Sequence, residues 1–159
     1  MMKRILALTA LWLLGQAAVA QTGNIELKTV VEKETTVVNE AGQEVTQLVP
    51  VEKVIPGDVV IYTVTYTNIA DEPAEKVVIT NPIRSDLRYV RDSAFAPGAD
   101  VEFSVDGGEQ FAALEQLTVQ RDGASVPASL DDLTHIRWTL RDQLDPGAQG
   151  FARFRARLN

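Results

Sequence analysis

Few residues in this chain could do covalent chemistry. His135 is the single histidine, cysteine is absent, and Ser125 and Ser129 precede the acids Asp131 and Asp132. Nucleophilic catalysis needs a base poised beside a Ser, Cys or Thr. No G-x-S-x-G elbow presents such a serine. His135 also has the strand parity of Arg137, opposite Trp138, which predicts a solvated histidine. Carboxylates are the next resource. Asp71, Glu72 and Glu75 share one loop, and Asp100 and Glu102 share one strand face. Such oxygens suit acid–base work or Ca²⁺, yet neither set has the spacing of an EF-hand. The expectation is therefore no enzyme and no cofactor, with calcium the only ion for which ligands are on offer. Gly107-Gly108 reads as a turn rather than a phosphate cradle. Trp138 shares parity with Ile136 and Leu140, which predicts core packing rather than sugar stacking.

The most suggestive residues are Arg153, Arg155 and Arg157. Their spacing of two sets three guanidinium groups on one face of the last strand. Guanidinium binds carboxylate and phosphate bidentately, so the row suits an anionic partner. Opposite charge is available nearer the N-terminus, where Glu26, Glu32 and Glu34 share one parity. Those acids could meet the arginines of another molecule, head to tail, or pair with them inside one chain.

The elements that must position these groups follow from composition and pattern. The chain has 159 residues, 45% hydrophobic, with a net charge of −7. That balance argues against nucleic acid, which selects a basic face. Residues 1–20 read as a secretory signal peptide: Lys3 and Arg4, an apolar run from Ile5 to Leu14, then Ala18-Val19-Ala20 before a cut at Gln21. The run is too short for a transmembrane helix, and no later segment reaches that length. Export to the periplasm, the cell surface or the medium is expected. Without cysteine, the mature chain must hold itself by packing alone.

After the leader, period two dominates. Val60, Tyr62, Val64 and Tyr66 alternate with Ile61 and three threonines, so the tyrosine set should face inward. Asn39 to Gly42 separates runs 25–38 and 44–55, which predicts a long N-terminal hairpin. Strands are also expected near 76–80, 101–105, 117–119, 135–140 and 151–158, with turns at Asp106-Gly107-Gly108, Asp122-Gly123 and Asp145-Pro146-Gly147. Seven to nine short strands at this spacing imply an all-β sandwich of two sheets. The expected organisation is a leader over 1–20, a hairpin extension over 21–55 and a sandwich over 56–159.

Three stretches give this frame a likeness. Val54-Ile55-Pro56-Gly57-Asp58, Tyr62 to Asn68 and Val77 to Pro82, with Leu144 to Gly150 near the end, resemble the prokaryotic "conserved repeat" domain of cell-surface proteins. The likeness covers roughly residues 50–158, in a single copy, with Asn81 where that family usually has Asp. It implies an immunoglobulin-like Greek-key sandwich and a surface location, and no reaction. An immunoglobulin-like order would set the last strand beside 135–140 and add Arg137 to the row. The expected function is thus a non-catalytic structural or interaction module of the envelope or secreted matrix. Its expected surface is Arg137, Arg153, Arg155 and Arg157, and its expected partner a protein or an anionic envelope component, self-association included. The alternative is a carbohydrate-binding module assisted by calcium.

Overall fold

The computed structural model describes residues 19–22 and 24–159, so the expected leader lies outside it as far as residue 18. The strands are β1 (Val19–Thr22), β2 (Ile25–Val38), β3 (Glu44–Pro50), β4 (Val59–Asn68), β5 (Val78–Pro82) and β6 (Leu87–Tyr89). They continue as β7 (Ala99–Ser104), β8 (Thr118–Arg121), β9 (Ala124–Pro127), β10 (His135–Leu140) and β11 (Gln149–Leu158). Among the described residues the only helical pieces are two 3₁₀ turns, Leu114–Gln116 and Leu130–Asp132, and no helix there is long and apolar enough to cross a membrane.

The larger sheet runs β1-β2-β4-β11-β6, with β3 also on β2, and the smaller runs β5-β10-β7; β8 and β9 form a separate hairpin. Every pairing is antiparallel. The two main sheets share one apolar core. From the larger sheet come Val60, Val64, Tyr66, Ala152, Phe154 and Ala156; from the smaller come Ile79, Phe103, Ile136 and Trp138. Trp138 and Phe154 meet across the gap with ring centroids 6.1 Å apart.

One expectation about strand order is corrected. β11 does not pair with β10; it lies between β4 and β6 in the opposite sheet. An immunoglobulin order would place the last two strands side by side. The choice is made by register: nine consecutive residues of β11, from Gln149 to Arg157, pair with β4, and β10 already has β5 and β7 on its two edges.

The N-terminal hairpin forms where the turn signal predicts. Asn39 Oδ1 accepts from the amides of Ala41 and Gln43, and Gly42 takes φ of 76° to close the turn. The first half of β2 is built into the larger sheet, from Ile25 opposite Asn68 to Lys33 opposite Val60. The far half pairs with β3 alone. The cut expected before Gln21 falls within β1, which pairs with Ile25–Lys28.

Two corners of the resembling frame prove to be structural. At Pro56-Gly57-Asp58, the Asp58 carboxylate accepts from the Ile55 amide at 3.0 Å and from Lys33 Nζ at 2.7 Å. Burial alone would raise this carboxyl, but the lysine and the amide outweigh it and hold it below its ordinary value. At the other end, a Cβ on Gly150 would overlap the Tyr66 ring, so only glycine lets that buried tyrosine lie across β11.

Asp132 is likewise held low, first by the Ser129 hydroxyl and then by its amide, and the Asp106 carboxyl is held low by Ser104 and the amide of Gln110. A carboxyl whose folded pKa is depressed stabilises the fold above its unfolded pKa and loses that contribution as pH falls through the folded value. With unfolded Asp near 3.9, the urea midpoint is expected to stay level from pH 7 to about 4.5 and to drop steadily below about pH 4. A midpoint that rises on acidification would contradict these assignments.

Candidate interaction surface

Both sheets present an outer face, and the four arginines divide between them. Arg153, Arg155 and Arg157 stand together on the outer face of the larger sheet, because Ala152, Phe154, Ala156 and Leu158 take the inward parity. Arg137 stands on the outer face of the smaller sheet, across the core from the other three. It pairs with Glu102 at 2.7 Å and lies 4.1 Å above the Phe111 ring. The expected four-residue surface is therefore a row of three, and Arg137 does not belong to it. The physical reason is the strand order: Arg137 is on β10, and β10 never meets β11.

Each member of the row has a partner within the chain. Arg153 Nε donates to Thr63 Oγ1 at 3.0 Å, and its guanidinium sits 5.6 Å from the Phe151 ring centroid. Arg157 Nη1 donates to the Gly57 carbonyl at 2.9 Å. Arg155 Nη2 meets Glu34 Oε1 at 2.8 Å. This last contact realises, within one molecule, the pairing of hairpin acid with arginine row. Since β4 lies between β2 and β11, the ion pair spans β4 and passes over Ile61. That explains why Ile61, outward by parity and opposite both Glu32 and Arg155, is only 1% exposed. An ion pair this exposed contributes at most about 1 kcal/mol; its interest is positional.

Beside the row stands an aromatic pair that sequence reading missed. After β6 the chain leaves the sheet at Val90 and returns at Phe95, which exchanges two backbone hydrogen bonds of 2.8 Å with Arg153. Ser93 Oγ accepts from the Arg155 amide at 3.0 Å where the backbone has swung away, and Asp92 takes φ of 58°. This bulge returns Phe95 to the outer face, 56% exposed and 6.0 Å from the ring of Phe151. Phe151 has the parity of the arginines, a signal that was available. Phe95 lies between Ala94 and Ala96 in a stretch with no periodicity, so nothing local marked it.

The groups considered for catalysis are scattered or engaged. His135 is half-buried, with Nδ1 3.2 Å from Thr134 Oγ1 and its ring against Gly108. Ser129 and Asp132 bond each other to cap the second 3₁₀ turn, and Asp132 also receives Arg121 at 2.7 Å. Among the described residues, no three His, Asp or Glu side chains converge as a metal site. Asp100 is paired with Arg141, and Glu102 with Arg137. Trp138 is fully buried, as its parity predicts.

The fold and this geometry define an antiparallel β-sandwich with a basic row along β11 on its larger outer face, joined at one end by Arg88 of β6 opposite Arg157. No family model, no curated protein and no solved structure matches the chain.

Proposed function

We propose that this protein is a non-catalytic interaction module, exported to the bacterial envelope or secreted matrix, and that it works through the outer face of its larger sheet. One observation carries the reading: Arg153, Arg155 and Arg157 stand in line on a rigid strand hydrogen-bonded on both sides, next to an exposed phenylalanine, in a chain that is otherwise acidic. A local row of this kind attracts an anionic surface at short range even when the net charge repels it. The leader-type segment supports export. The frame resembling the surface-protein repeat supports a location at the envelope and an immunoglobulin-like module in the broad sense, with its last strand in the opposite sheet.

The test uses a sulfonate cation-exchange matrix as the anionic probe at pH 7 and low salt. The wild type should be retained despite its net charge and should elute as salt rises. The combined variant R153Q/R155Q/R157Q should pass straight through, while Arg137→Gln should behave as wild type because it lies on the other sheet. Retention that survives the triple variant would remove this face from the reading.

A further inference from the structure

The outer face holds more than charge, and its composition narrows the ligand. The basic region is narrow, the row on β11 with Arg88 of β6 opposite Arg157 and paired to Asp131 at 2.9 Å. Beyond β4, strand β2 presents Glu26, Lys28, Glu32 and Glu34 on the same face, so a planar anionic membrane would have to meet three carboxylates against one lysine there as well. Along β11 the arginines repeat at about 6.6 Å, the two-residue step of a strand, and this suits an extended polyanion lying along the row. Arg153 has Nε committed to Thr63, which leaves its terminal amino groups for a ligand carboxylate. Phe95 on the β6 side and Phe151 at the head of the row itself form a tilted pair, their planes at 49° and Phe95 mostly exposed. An aromatic face stacks on the C–H face of a sugar ring, whereas a phosphate or a bare carboxylate chain has no use for it. On the β4 side, Thr63 and its neighbour Thr65 offer hydroxyls of the kind a polyhydroxylated ligand bonds.

Resting on the reading above, we propose that this face binds an acidic polysaccharide, a chain of uronic-acid-type sugars. Sugar rings seat on Phe95 and Phe151, and their carboxylates seat on Arg153 and Arg155. Glu34 already occupies Arg155 in the free protein. A carboxylate of the ligand must take its place, so the hairpin acid acts as a built-in competitor. Removing it by Glu34→Gln should therefore tighten binding, not weaken it. A merely structural role for the ion pair would not move affinity in that direction.

The experiment is affinity electrophoresis of the full protein through gels containing polygalacturonate, alginate or hyaluronate, with neutral dextran as control and phosphatidylglycerol vesicles assayed by co-sedimentation. At least one acidic glycan should retard the wild type, and dextran should not. Phe95→Ala should weaken retardation about tenfold, the scale of one lost aromatic contact, while Glu34→Gln strengthens it several-fold. Circular dichroism melts of each variant establish that it is folded. Absence of retardation by all three acidic glycans overturns the proposal, as does retardation untouched by Phe95→Ala. Sedimentation with vesicles that the triple arginine variant abolishes, without glycan binding, would overturn the polysaccharide while leaving the arginine face as the contact surface. Equal retardation by dextran, insensitive to the arginine variants, would overturn both.

Discussion

Asn68→Asp should destabilise the fold by about 4 kcal/mol at pH 7, a large part of what a domain this size possesses. Asn68 ends β4 and is fully buried. Its Nδ2 donates to the carbonyls of Glu72 and Leu144, both at 2.8 Å, and its Oδ1 accepts from the Ala70 amide at 3.0 Å. Its own backbone bonds Gly147 and Ala148. One side chain therefore ties the loop after β4 to the turn before β11, and an amide is the group that can both donate twice and accept once there. A carboxylate would face two carbonyl oxygens with no proton to offer, in a site that penalises charge. Protonation relieves part of that conflict, so the deficit should shrink as pH falls toward 5, over a range in which the wild type stays level. Urea unfolding at pH 7 and pH 5 reads both effects. A variant as stable as wild type at pH 7 would mean that the loops hold without this pin.

Trp138→Ala should cost about 3–5 kcal/mol, because it empties the middle of the core where the two sheets meet. Trp138→Phe should cost less than half as much. The indole Nε1–H of Trp138 is buried with no hydrogen-bond partner, so phenylalanine removes an unmet donor along with the volume, and the two effects oppose each other. Equilibrium unfolding of both variants, with m values compared to confirm that the transition stays two-state, measures the difference. Both variants remove the N–H, so the difference between them reads the ring packing, and equal losses would show that a retained phenyl ring fills none of the seam. A loss under about 1 kcal/mol in the alanine variant would contradict the assignment of Trp138 to the sheet–sheet seam.

Both residues were visible beforehand in different degrees. Trp138 was legible because parity alone places it with Ile136 and Leu140, and all three lie inward or half-buried as the alternation requires. Asn68 was read only as the end of a strand. Its partners, Glu72 and Leu144, lie 4 and 76 positions away, and the distant one depends on a turn that only the closed sandwich brings near. The turn chemistry was similarly readable: Asp122 and Gly123 take φ of 52° and 79° to join β8 and β9, as an Asp-Gly pair in a tight hairpin should.

By itself, the order of residues determined what depends on neighbours one to four positions apart. It determined the all-β class, the N-terminal hairpin and its turn, the inward set Val60, Val64, Tyr66 and Trp138, and the alignment of Arg153, Arg155 and Arg157 on one strand face. Strand alternation is a local rule, and it holds wherever the strand ends up. The tertiary structure alone decided which strands became neighbours. It seated β11 against β4 and β6, sent Arg137 to the opposite face, laid Glu34 over Ile61 onto Arg155, and used a bulge to return Phe95 to the face beside Arg153. Strand pairing is chosen by how both faces of every strand bury at once, a competition among distant segments that no short window of residues contains.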